Sequence, residues 1–312
     1  MLKGFKRFLL FISIPLFYQA ALGQYQIGLV PRISPDKGVY QKVGFTEVNI
    51  RYGSPYVRAR KIWGGLVPYE KVWRAGANNA TTVEFGSDVV LQGERLPKGK
   101  YGFFILPREH GKWSVIFNKV HDQWGAFDYE ETEDALRISV FPSFVQEFQE
   151  ELTYSVENYG FQHGAIRFAW EYLRIRIEFD TDYVEQFRTE IESRVAKSNE
   201  DIQWVVYLQG AEHLASIQTE LDLAKTWIDK GEAMSEKVNE WNKAFYPLDY
   251  VKGHLYWTKA KILGLQGQYQ EAWNYGNRSI KADKKSMYYK RRNEGEDMDT
   301  LMADWKKMAE QE

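Results

Sequence analysis

The sequence predicts an α+β multidomain chain: an antiparallel β-sandwich or jelly-roll-like domain followed by an all-α helical bundle. Three observations predict it. Apolar residues recur at every second position in runs from about Ile33 to Phe179, then at helical spacing from Tyr183. Alternation suits half-buried strands and the longer period suits one face of a helix. Turn-forming residues punctuate the first half at short intervals, and no helical stretch long enough for a crossover separates the strands, which leaves antiparallel pairing.

The amino terminus comes first in order. Lys3, Lys6 and Arg7 are followed by the apolar stretch Phe8–Phe17, broken by Ser13 and Pro15, and then by the small residues Ala21 and Gly23. That order predicts a secretory leader over residues 1–23, cleaved to leave a mature chain starting near Gln24. The stretch falls short of the ~20 apolar residues that span a bilayer as a helix. With no Cys in the chain, lipid attachment at a cysteine, disulfides, a thiol nucleophile and thiolate metal sites are all excluded. The expected location is periplasmic or secreted, with no membrane insertion after cleavage. The expected domains are 24–180 and 181–312.

Charge narrows the partners. The 41 basic and 43 acidic residues give −2, and loss of the leader removes three of the positive charges. No long basic run is present, so nucleic acid is not an expected partner. The 11 Trp, 20 Tyr and 18 Phe either fill cores or supply a carbohydrate-binding platform.

Strands are legible at Thr46–Tyr52, at Trp113/Val115/Phe117, at Leu136–Val140, at Leu152–Val156 and through Ile166–Phe179. Gln92-Gly93, Pro97-Lys98-Gly99, Arg108–Gly111 and Asn158-Tyr159-Gly160 are the chain reversals between runs. Beyond Asp182, a candidate N-cap, Tyr183, Phe187, Ile191 and Val195 share one helical face. About six more helices follow, with Pro247 marking one break.

Within this half, Ala260, Leu263, Gly267-Gln268-Tyr269 and Ala272 resemble a tetratricopeptide repeat. A fainter copy, with Leu208, Ala211, Leu221 and Ala224, lies 48 residues earlier. That spacing departs from the 34 residues of the repeat family. Gly276 and Lys284 also stand where the repeat usually has a large apolar residue and a proline. Trp227, Trp257 and Trp273, together with Trp241, lie at helical spacing. They are either inter-helix core or a partner-binding surface. Met298, Leu301, Met302 and Trp305 give the charged C-terminal stretch an apolar stripe, which predicts a capping helix.

Catalytic signatures are absent. The five histidines form no metal-binding pair, no Gly-x-Ser-x-Gly elbow occurs, and Gly93–Lys100 lacks the spacing of a phosphate-binding loop. No catalytic residue, metal site or cofactor is expected. Glu84, Asp122 and Asp128 are available carboxylates, but glycosidase chemistry needs a pair ~5–9 Å apart. The remaining constellation is Arg60, Trp73, Arg74, Asn78 and Thr81 in one loop-rich segment with Asn118 and Trp124 in another. Guanidinium forks, amides and indole faces could hold a carboxylate or a sugar. The same groups could instead tie down a long loop by bonding its carbonyls.

A larger block carries a family resemblance. It comprises Tyr52-Gly53-Ser54-Pro55, Arg58–Tyr69, Val72-Trp73-Arg74-Ala75-Gly76-Ala77-Asn78-Asn79-Ala80-Thr81-Thr82, Leu96–Gly102, Ile116–Lys119 and Gln123–Tyr129. Over residues ~30–180 it resembles the exported bacterial family called domain of unknown function 2911, with Ala59 where that family commonly has Gly. The resemblance implies export and a β-rich fold, and no reaction. The expectation is a non-catalytic exported protein of the bacterial envelope, meeting an unknown protein partner through its helices. The alternative is a carbohydrate-binding or carbohydrate-active protein using the Arg/Trp/Asn cluster on an envelope glycan.

Overall fold

The computed structural model describes residues 31–236, 248–283 and 298–311. The expected leader, Trp241, Pro247 and Lys284 lie outside them. The chain forms two compact units, one ending at Tyr183 and one starting at Val184.

The first unit is built of ten antiparallel strands. These are β1 (Asp36–Val43), β2 (Thr46–Gly53), β3 (Ala77–Phe85), β4 (Val89–Leu91), β5 (Glu94–Leu96), β6 (Gly99–Leu106), β7 (Trp113–Asn118), β8 (Asp134–Val140), β9 (Ser143–Asn158) and β10 (His163–Thr181). They make a six-stranded sheet, β1-β2-β3-β6-β7-β8, and a four-stranded sheet, β5-β4-β10-β9. Alternation decides which side is buried. In β2, Val48 and Ile50 are fully buried while Glu47 and Arg51 are exposed. One hydrophobic core takes residues from both sheets, including Ile50, Phe85, Phe103 and Phe117 from the first and Leu91, Leu152, Phe168 and Ile175 from the second.

Turn chemistry is where the sequence placed it. Gln92 and Gly93 both have positive φ (53° and 86°), the pairing that a two-residue hairpin between β4 and β5 requires. β10 contains a phase change: Ile166, Phe168 and Trp170 are buried on even numbers, but Leu173, Ile175, Ile177 and Phe179 on odd ones. The register against β9 shifts on both sides of Glu171, whose φ is 54°. A bulge inserts a residue and moves the following side chains to the opposite parity. Between the pairs Glu171↔Gln149 and Leu173↔Phe144, β9 also carries extra residues. Arg174 binds the carbonyls this irregularity frees, donating to Glu147, Glu171 and Leu173.

The second unit has six α-helices among the described residues: α1 (Tyr183–Lys197), α2 (Gln203–Ser216), α3 (Leu221–Ser235), α4 (Leu248–Leu265), α5 (Tyr269–Asp283) and α6 (Met298–Ala309). Short turns join α2 to α3 and α4 to α5, the second through Gly267 at φ 78°. Small residues allow close approach within these pairs. A Cβ on Gly210 of α2 would come within 2.9 Å of the Trp227 ring of α3. Lys259 is held between Asp229 (2.7 Å) and Glu232 (2.8 Å), with its ammonium 4.4 Å from the Tyr275 ring centre. Burial alone would lower its pKa, yet the two carboxylates prevail and hold it above the ordinary lysine value.

Gly276, out of place in a tetratricopeptide pattern, has a local reason. It is where Met302 of α6 seats against α5, and Gly264 of α4 receives Trp305 in the same way. Met298, Met302 and Trp305 are buried in a cluster with Trp257, Leu263 and Ala272, so the C-terminal stripe is indeed a packing face. Replacing Gly276 by Val should therefore cost roughly 1–3 kcal/mol by overpacking and loosen α6. Urea unfolding and limited proteolysis at the C-terminus measure both. Adding Met302→Ala should recover part of the loss.

Candidate functional site

The irregular segment between β2 and β3 is fastened from several directions. Trp73 pairs with Ile105 of β6 through two backbone bonds (2.8 and 2.9 Å), and its ring stacks on Trp170 at 5.8 Å and meets Trp63 edge-on at 5.9 Å. The Ala75 carbonyl accepts from the Tyr154 hydroxyl (2.7 Å) and from Thr81 Oγ1 (3.1 Å). Burial raises the Tyr154 pKa well above the ordinary tyrosine value, so this donor keeps its proton. Asn78 donates to the Ser34 carbonyl (3.0 Å) from a left-handed backbone (φ 63°), a conformation that Asn tolerates better than most residues. Arg60, which is exposed, gives its guanidinium to the carbonyls of Val57 and Tyr56.

A second segment, residues 119–133, lies over the outer face of the six-stranded sheet. Asn118 is fully buried and is its anchor. Nδ2 donates to the Glu130 carbonyl (2.9 Å) and to Asp134 (2.8 Å), and Oδ1 accepts from the Val120 amide (2.9 Å). Tyr129 donates to Asp134 (3.0 Å). Its hydroxyl is pushed up to about 12, first by burial and then by that bond. Beneath the segment, Ala80, Phe104 and Ile116 form a small separate core, and Gly102 leaves room for the Val120 carbonyl.

The sequence-selected residues therefore divide. Trp73 is core, while Arg60, Asn78, Thr81 and Asn118 have committed polar atoms to carbonyls, amides or Asp134, so they serve as loop ties. Arg74 is half-buried, desolvation lowers its pKa, and its buried Nε has no partner among the described residues. Trp124 is the exposed aromatic of the set, at 54%. In the helical unit, Trp227 and Trp257 are 2% and 1% exposed. The expectation that they form a partner-binding surface is corrected, because their area is already spent on neighbouring helices; Trp273 is half-buried.

What the sequence reading missed is a cleft of about 570 Å³ on the outer face of β1 and β2. Strand register builds it. Gly38, Arg51, Thr82 and Gly102 follow one another across β1, β2, β3 and β6, and residues paired across strands share a face. Arg51 is thus the one long side chain in a row of small ones, of which Thr82 and Gly102 are buried. Gly38 and Arg51 line the cleft with Arg32, Lys37, Asn49 and Asn79. Arg32 pairs with Asp36 at 3.1 Å. Lys37 pairs with Glu151 at 2.7 Å, a bond that raises the lysine pKa. Arg51 has no hydrogen-bond or ion-pair partner among the described residues. Trp124 contacts two of the lining residues: it is bridged to Asn79, and its ring centre is 5.8 Å from the Arg32 guanidinium. The only sequence signal was the solvent-facing parity of Asn49 and Arg51 in β2. Glu84, Asp122 and Asp128 are all exposed, and no group of three or more potential metal ligands occurs among the described residues.

Residues 34–179 match the model of a family described as "Protein of unknown function (DUF2911)". No curated protein and no solved structure matches the chain.

Three outcomes follow from this geometry. Asn118→Ala should cost about 2–4 kcal/mol in urea unfolding, since it orphans buried donors and acceptors. Ala59→Gly should stabilise by roughly 0.5–1 kcal/mol, because Ala59 sits at φ 53°. The Tyr129 value lies above the ~10 of an unfolded tyrosine, so its contribution is complete below that pH and is lost as pH rises through about 12. Alkaline unfolding of Tyr129→Phe should lack that component.

Proposed function

We propose that this chain, whose residues 34–179 belong to the DUF2911 family, is an exported, non-catalytic protein that captures a saccharide on its strand-rich unit. The observation that carries the reading is the outer-face cleft, lined by Arg51 (unpartnered among the described residues) and the amides of Asn49 and Asn79, with exposed Trp124 bridged to Asn79. Amides and guanidinium groups that make no internal bonds are available to sugar hydroxyls, and an exposed indole offers a flat apolar face to a pyranose ring. Arg60, Trp73, Arg74, Asn78, Thr81 and Asn118 do not line the cleft; of the Arg/Trp/Asn loop cluster, this reading uses Trp124.

Export is supported by the order of charged, apolar and small residues before Gln24. It places the protein beyond the inner membrane, where envelope and environmental glycans are met. A protein-contact role for the helices would need a surface other than Trp227 and Trp257. Intact-mass analysis of protein recovered from the envelope or medium should show a chain starting near Gln24; retention of residues 1–23 would overturn export. On a glycan array the mature protein should bind a defined saccharide subset. Trp124→Ala should weaken that binding about tenfold or more without changing the unfolding midpoint. An array with no signal would sink the saccharide reading.

A further inference from the structure

We infer that the saccharide taken by the cleft is a monoanionic, carboxylate-bearing one, a hexuronate residue whose carboxylate is clasped by Arg51; the inference rests on the saccharide reading above. The charges around the cleft are unequally committed. Arg32 is balanced by Asp36 and Lys37 by Glu151, which leaves the Arg51 guanidinium as the cation without a counter-ion among the described residues lining it. Asp36, the carboxylate lining the cleft, already holds Arg32.

A guanidinium presents a planar pair of N–H donors that matches a carboxylate in a bidentate fork, a match that an ammonium does not reproduce. Access is open on the β1 side: the residue paired with Arg51 is Gly38, where even a Cβ would meet only the Ile50 carbonyl, at 3.7 Å. Asn49, one step along β2 on the same face, and Asn79 flank the fork with amides suited to the ring hydroxyls. One free cation balances one carboxylate; a phosphate monoester carries about two negative charges at neutral pH, and a sulfate ester, though also monoanionic, spreads its charge over three weakly basic oxygens that accept hydrogen bonds less strongly.

The test is calorimetric titration of the mature protein with an oligogalactose carrying one galacturonate residue, the neutral oligogalactose of equal length and the same oligomer carrying one sulfate ester. The uronate should bind at least about tenfold tighter than the other two, and its affinity should fall as salt rises. Arg51→Gln should abolish the preference. Arg51→Lys should recover little of it, because it restores charge without the fork. Arg51 is exposed on a strand, and circular dichroism and the unfolding midpoint should be unchanged in both variants. Equal binding of neutral and uronate oligomers, or tighter binding of the sulfated one, would overturn the carboxylate inference and leave saccharide capture standing. Failure of every saccharide to bind would overturn both.

Discussion

The strand-rich unit depends on one aromatic contact set. Trp63 and Trp73, both from the irregular chain between β2 and β3, enter the core and meet Trp113 of β7 and Phe168 and Trp170 of β10 at centroid distances of 4.9–6.4 Å. All five residues are at most 9% exposed. Side chains of this size bury more area than any aliphatic residue and favour the edge-on and offset geometries seen here. They join the two sheets and the connecting chain into one packed body, so a segment with little regular structure is held as firmly as a strand.

That anchoring explains the loop chemistry. A chain that leaves the ladder must find partners for its N–H and C=O groups elsewhere. Tyr154, Thr81 and Arg60 supply them for residues 54–76, Asn78 for Ser34, and Asn118 for residues 119–133. With both segments fixed, Gly38, Asn49 and Arg51 line a cleft on the outer sheet face. Asn49, Arg51 and Asn79 sit on strands, which position side chains more closely than loops do.

The helical unit reaches stability by a different route. Trp227 packs against Gly210 and Trp305 against Gly264. A residue type that looks like a contact surface in a linear pattern is therefore core, because a small residue one helix away makes room for it. No helix of the described residues is long and apolar enough to cross a membrane.

The sequence by itself determined the division into a strand-rich and a helical part, the antiparallel pairing, the turns at Gln92-Gly93 and Gly267, and the packing stripe of α6. Each of these is written in local periodicity and backbone preference, which neighbours along the chain suffice to specify. It left undecided whether Trp73, Asn78, Thr81 and Asn118 contact a ligand or a carbonyl, because an amide or indole has the same composition in either role. Tertiary structure decided that by bringing Ser34, Tyr154 and Glu130 to them from distant positions. It also made the cleft, which no linear pattern announces: Gly38 and Arg51 become neighbours only through the register of two strands, and Arg51 has no ion-pair partner among the described residues, whereas Arg32 and Lys37 have theirs.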